Sequence, residues 1–261
     1  MKISTPNSRR NLHIKKHYRV LEVGPGNNPT YRANVLVEKY PGDNTHRSGD
    51  CRVFPHQKLV VGAGEGLPFA DKEFDYVICN HVLEHSTDPS TFLKELMRVA
   101  KAGYIETPSM LGELLFPKEA HRHVVQVIND KLVVYEKRMM PGNYANNYGE
   151  LFLNYLPYQS LPFKLLYFTE KELMHVRYEW KDDIDYLINP RDEYYSAFFL
   201  RKWNRKMVET LFPPRKFPSE IIRTFKALWN IACDKFDQFF PKKSMTFAEY
   251  SKRHPEEFGK Q

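Results

Sequence analysis

The stretch VLEVGPGNNPTYRANVLVEKY, Val20 to Tyr40, decides how this chain is read. An apolar run carries an acid at Glu22, then two glycines, Gly24 and Gly26, then a second apolar run that closes on Glu38. This is the pattern of a strand, a tight turn and a second strand. Glycine lets the backbone turn sharply and approach a ligand that a Cβ would exclude. A carboxylate closing the second strand is placed to accept hydrogen bonds from ribose hydroxyls. The segment therefore predicts a nucleoside-type cofactor. Glycine pairs after strands also make plain β-turns, so the reading needs support from the next segment.

Residues 62–85 read GAGEGLPFADKEFDYVICNHVLEH. Leu67-Pro68-Phe69 is followed by Phe74-Asp75, an apolar strand from Tyr76 to Cys79, and then Val82-Leu83-Glu84-His85. A helix-like FLKELMRVAKAG leads to YIETPS, Tyr104 to Ser109. In order and spacing this series resembles the class I S-adenosyl-L-methionine (SAM)-dependent methyltransferases, over about residues 15–125. The resemblance implies an α/β, Rossmann-like fold with a mostly parallel seven-stranded sheet, and SAM as cofactor. It puts Glu22, Gly24 and Gly26 around the methionine part and Glu38 at the ribose. Gly64 and Glu65, within Gly62–Gly66, would border the adenine. Asn80 and His81 would lie near the amino acid end and the sulfonium.

Two positions depart from the family pattern. Asn28 stands where a third glycine is usual, and only about eleven residues separate Gly26 from Glu38. That is short for a full crossover helix, so a shortened first helix starting near Pro29 is expected. Ala63 stands where an aspartate usually accepts from the adenine amino group, and Glu65 or a backbone carbonyl is the expected substitute.

Composition fits a soluble enzyme. No apolar run approaches the ~20 residues that span a bilayer. The N-terminal MKISTPNSRRNLHIKKHYR is basic but has no apolar core of a secretory signal. Cys51, Cys79 and Cys233 are far apart, which indicates neither a disulfide framework nor a zinc site and fits a cytoplasmic setting. Cys79, inside an apolar strand, reads as a core residue. Residues 201–261 hold 14 Lys/Arg against 7 Asp/Glu, which accounts for the whole net charge of +7. Such a segment is either a solvated helical surface or a surface for acidic partners.

The chain divides into a methyltransferase domain over 1–190 and a basic helical extension over 191–261. Within the first, 1–17 is a polar lead-in, 18–109 carries the core motifs and 110–190 is the expected substrate region. A helix fits 90–101, with Ser90 as its cap. Residues 123–137 read as a hairpin turning near Asn129-Asp130. A tyrosine- and asparagine-rich stretch follows, and then LPFKLLYF and MHVRYEW read as strands. In the family, material after the fifth strand supplies the last two strands; which of these runs does so stays open. Over 219–240, Ile221, Ile222, Phe225, Leu228, Trp229, Ala232, Phe236, Phe239 and Phe240 form one helical stripe, with Ser219 as N-cap and Pro241 as stop. The stripe is expected to pack on the core or a second subunit; the alternative is a membrane-surface helix.

Transfer of a methyl group to a hydroxyl calls for a general base, and histidine is the ready choice near neutral pH. His81 is the first candidate; His85, in the same loop after the fourth strand, and His121 and His123, after the fifth, are the others. Glu84, His85, His121 and His123 match no familiar metal-ligand spacing, so no metal is assigned. The expected acceptor is a small molecule or a glycan- or lipid-linked metabolite, methylated at oxygen. Nucleic acid is disfavoured because Asn80-His81-Val82-Leu83 stands where amino-methylating enzymes carry an NPPY-type tetrapeptide, although the basic tail keeps that reading open. A SAM-binding regulator without catalysis is the other alternative. The LPF, FD and VLEH series argues against a nicotinamide oxidoreductase.

Overall fold

The computed structural model describes residues 1–6, 8–45, 49–141 and 147–258. Its strands are β1 (Lys2–Ser4), β2 (Val20–Val23), β3 (Val35–Glu38), β4 (Arg52–Val53), β5 (Lys58–Val61), β6 (Tyr76–Asn80), β7 (Ala102–Pro108), β8 (His123–Ile128), β9 (Lys131–Glu136), β10 (His175–Lys181), β11 (Tyr186–Ile188) and β12 (Met245–Thr246). Its α-helices are α1 (Pro89–Val99), α2 (Met110–Leu115), α3 (Leu156–Gln159), α4 (Leu161–Thr169), α5 (Glu193–Leu200), α6 (Arg205–Leu211), α7 (Phe217–Phe239), α8 (Phe247–Arg253) and α9 (Pro255–Phe258). Part of the tyrosine- and asparagine-rich stretch lies outside the described residues.

A seven-stranded sheet runs in the order β1-β10-β7-β6-β2-β3-β5. β10 runs antiparallel to both its neighbours, β1 and β7, and all the other pairings in this sheet are parallel. The central strands are apolar on both faces because both faces are covered. Leu21, Val23, Val77 and Cys79 point into one core with Phe92, Leu93, Leu96 and Val99 of α1. Val20, Leu36, Tyr76 and Ile78 point into the other, where Tyr250 of α8 joins them. Leu59 donates its N–H to the Tyr250 hydroxyl at 3.1 Å, and β12 pairs with β4, so the end of the chain returns to the sheet.

The hairpin forms as read: β8 and β9 pair antiparallel, and Asn129 and Asp130 both take positive φ, the type I′ geometry that asparagine and aspartate tolerate. β11 adds to β9 in parallel, making a separate three-stranded sheet.

Five local expectations change. No helix lies between β2 and β3: Gly24 and Gly26 take left-handed φ and two prolines interrupt the loop, leaving no run for a helical turn. The lead-in is not merely polar, since Lys2–Ser4 pairs with β10 and closes the sheet edge. The family's two late strands are thus met by β10 and by β1 from the other end of the chain. LPFKLLYF is helix α4, capped by Ser160 and carrying Pro162 in its first turn, because a dense apolar run does not by itself tell helix from strand. The cap of α1 is Asp88, which accepts Thr91 N–H at 3.0 Å, with Pro89 starting the helix before Ser90. α7 starts at Phe217 with Pro218 in its first turn, so Ser219 is inside the helix; it ends before Pro241 as expected.

Candidate functional site

The strand order reverses at β2, and β2 and β6 end side by side with Val23 opposite Cys79. Open α/β sheets bind ligands outside such a reversal. An open cleft of about 1680 Å³ lies there, and Glu22, Gly24, Gly26, Glu38, Gly64, Glu65, Asn80 and His81 all line it.

Their neighbours differ. Glu22 is buried, and its carboxylate accepts the N–H and hydroxyl of Thr30 at 2.6 and 2.9 Å, bracing the glycine loop in place of a helix. Burial raises its pKa, and Arg9 at 3.7 Å works against that rise. A Cβ on Gly24 would meet Val82 at 2.3 Å, and one on Gly64 would meet the Phe92 ring at 2.1 Å. Those two glycines are required by packing. A Cβ on Gly26 would meet nothing within 4 Å. The backbone there forms a cradle open to the cleft.

At the rim Glu38 accepts the N–H groups of Gly26 and Lys39 at 3.2 and 3.1 Å. Glu65 takes Ser86 Oγ–H and Thr87 N–H on Oε1 at 2.8 and 3.1 Å. Burial works to raise its pKa, and these hydrogen bonds bring it below the ordinary value. Both the nitrogen and oxygen of the Asn80 amide are buried without a partner among the described residues. A buried amide needs hydrogen bonds, and polar atoms of a ligand bound at this point would supply them. The open Gly26 turn, the unsatisfied Asn80 amide and the Glu38 carboxylate fit the amino acid and ribose parts of SAM.

His81 follows β6 with φ of 54°, a left-handed conformation that a non-glycine residue keeps only where its surroundings enforce it. Its N–H donates to the Glu106 carbonyl at 2.8 Å. Nδ1 lies 3.4 Å from Glu84 and Nε2 lies 3.9 Å from Glu106, while 45% of the side chain stays exposed. Burial works to lower its pKa, but the neighbouring carboxylates of Glu84 and Glu106 raise it above the ordinary value.

Sequence reading missed the group around it. Glu106 on β7 faces Lys171 at 3.2 Å and His175 at 3.7 Å, and accepts the Tyr104 hydroxyl. Burial would raise the Glu106 pKa; Lys171, His175 and His81 hold it far below the carboxylate range. Burial pushes His175 down to about 3, and its Nε2 faces the Tyr167 hydroxyl at 2.7 Å. The only sequence clue was an acid inside the apolar run YIETP.

The other three candidate histidines are less exposed than His81, and of them only His85 also lines the cleft. His85 sets Nδ1 against the Ala120 carbonyl at 3.1 Å, and burial lowers its pKa. His121 is buried 2.6 Å from Glu113, which also holds Lys137. His123 is buried on β8, and burial lowers its pKa too.

Among the described residues, two groups bring three metal-ligating atoms within 4.8 Å of one another: His81, Glu106 and His175, and Glu84, His85 and His121. His123, weighed with the second group in sequence, is not part of it. In the first, the Lys171 ammonium already sits on Glu106 Oε1 and opposes a second cation. In the second, Glu84 is already compensated, its pKa held below the ordinary carboxylate value, against its own burial, by His81, His121 and His85. Both read as ion-pair networks.

Residues 39–105 match the family model for a methyltransferase domain. An uncharacterized protein of Methanocaldococcus jannaschii is 37% identical over 68 residues, 24% of this chain and 33% of that protein. Demethylmenaquinone methyltransferase of Anoxybacillus flavithermus is 48% identical over 67 residues, 23% of this chain and 28% of that enzyme. The chain thus spans about a third or less of these curated relatives. Among solved structures, YcgJ of Bacillus subtilis aligns with 43% of this chain and 57% of its own, at 17% identity and TM-score 0.31, an overlap that says nothing of function. No described helix is long and apolar enough to cross a membrane.

Proposed function

The chain carries a class I methyltransferase domain whose cofactor is SAM, and on that premise we propose that it methylates a hydroxyl of a small-molecule or glycan- or lipid-linked acceptor, with His81 as base. The observation that carries this reading is His81 itself: strained, half-open to the cleft and flanked by two carboxylates. When bound, SAM supplies an activated methyl carbon and leaves as the neutral thioether, so the acceptor oxygen gains a methyl and gives up its proton. His81 takes that proton. Glu84 holds the Nδ1 side of the ring, and the imidazolium formed lies between Glu84 and Glu106, where opposite charge stabilises it. Asn80 and the Gly24–Gly26 turn would hold the amino acid end of the cofactor, Glu38 its ribose, and Gly64 with Glu65 the edge of its adenine.

Titration calorimetry with SAM and S-adenosylhomocysteine tests the cofactor site. Glu38→Ala is expected to abolish or strongly weaken binding. His81→Gln should bind SAM as the parent does and lose roughly 10²–10⁴-fold in transfer of labelled methyl to a panel of hydroxyl acceptors. Full turnover in His81→Gln would end the base assignment. The pH profile gives a second readout. The neutral ring is the active form and its pKa is raised, so activity should appear with rising pH at values above 6.5. Glu84→Gln should move that limb down.

A further inference from the structure

α7 buries the wrong side for a helix that packs on its own core. Ala227, Asn230 and Ile231 are its buried residues, with Arg223, Thr224 and Asp234 partly buried beside them. At 100° per residue these lie on one arc. The apolar stripe lies on the opposite arc and faces outward. Phe225 is 68% exposed, Trp229 70% and Phe239 77%, with Ile222, Phe236 and Phe240 also exposed. A soluble chain rarely leaves so many large apolar side chains together without a partner for them.

Charge says which partner. The acids on α7 are each held by arginine: Glu220 by Arg215, and Asp234 and Asp237 by Arg10. The lysines are not neutralised. Lys216, Lys226, Lys235 and Lys243 are exposed and have no ion-pair partner among the described residues. An apolar stripe bordered by unpaired lysines is complementary to a bilayer with anionic headgroups, not to a second copy with the same positive border. The helix is also continuous with the cleft, since Asp234, Asp237 and Gln238 line its wall.

We propose that the outer face of α7 lies in the surface of an anionic membrane, with Phe225, Trp229 and Phe236 inserted and the lysines on the headgroups. Asp234 and Gln238, which line the cleft, lie on the arc of α7 turned away from the lipid, so the docking holds the chain at a surface where a lipid-borne acceptor is concentrated without immersing the cleft. The acceptor class rests on the methyl-transfer reading; the docking does not.

The test is flotation of the full chain with phosphatidylcholine vesicles, with and without about a quarter phosphatidylserine, at low and high salt. SAM binding is measured on the same samples. Binding is expected on the anionic vesicles only, and should weaken as salt screens the lysines. Lys226→Gln with Lys235→Gln should cost about thirtyfold in vesicle affinity, at roughly fivefold per charge. Phe225→Ser with Trp229→Ser and Phe236→Ser should abolish binding yet keep SAM affinity, because none of these residues lines the cleft. Absence of binding in a monomeric parent would overturn the proposal. So would a parent that is dimeric and becomes monomeric in the triple variant, which would make the face an interface between copies. Vesicle binding without SAM binding would leave the docking standing and remove the methyl-transfer reading.

Discussion

α1 and α7 are both amphipathic helices, and they bury opposite sides. α1 turns Phe92, Leu93, Leu96 and Val99 into the sheet. α7 turns Ala227, Asn230 and Ile231 toward the chain and leaves its phenylalanines outside. Periodicity predicts a helix in both cases. It does not say whether the apolar stripe is covered by this chain or by something else. α1 lies against a parallel sheet that needs an apolar layer on each face, whereas α7 lies against α4 and the edge of the cleft, where smaller and polar residues fit.

The largest effect expected from this contrast is in stability. Phe92→Ala should cost about 3–5 kcal/mol, the loss of a fully buried ring plus the cavity it leaves. Phe225→Ala should stay within about 0.5 kcal/mol of the parent, as exposed sites do. Urea unfolding of the two variants measures both. A Phe225→Ala loss as large as that of Phe92→Ala would break the comparison, because α7 would then have a cover in solution.

A smaller effect comes from adding atoms instead of removing them. A Cβ on Gly64 would meet the Phe92 ring at 2.1 Å, and that ring is held by the core around it. Gly64→Ala should therefore destabilise by about 1–3 kcal/mol. The counterpart on the open stripe of α7 is Ala232→Leu, which has room and should be nearly neutral. A tolerated Gly64→Ala would mean that Phe92 yields, and that α1 is less tightly seated than its burial indicates.

The same contrast sets what could be read from the residues alone. Strands β2, β3 and β6 were legible because a strand covered on both faces must be apolar whatever its neighbours are. The turn residues Asn129 and Asp130 were legible because their positive φ is a local demand. The β1 edge was not: three residues of KIS become a strand only because β10 offers an unpaired edge. The meeting of Glu106 with His175 was not legible either. It depends on β10 pairing antiparallel to β7, with Arg177 opposite Glu106 and His175 opposite Pro108, a register set by packing far from either residue. The eight predicted residues do line one cleft, because all lie at or just beyond the carboxyl ends of the parallel strands β2, β3, β5 and β6, which end on the same side of the sheet. What they do there rests on the binding and turnover experiments.

The smallest expected effect is at the helix starts, and it depends on pH. Asp88 accepts Thr91 N–H and the Thr91 hydroxyl at 3.0 and 2.6 Å, whereas Lys216 gives α7 no side-chain cap. Those two hydrogen bonds favour the carboxylate and lower the pKa of Asp88 below 3.8. A depressed folded-state pKa contributes stability that is complete above the unfolded value and is lost as pH falls through the folded one. Asp88→Ala should therefore lower the unfolding temperature slightly but measurably at neutral pH, and its gap from the parent should close in acid below 3.8. Lys216→Ala should show no gap at either pH. Thermal melts of the three proteins across that range decide the point. A gap for Asp88→Ala that persists in acid would mean that the side chain supports α1 by packing rather than by its charge.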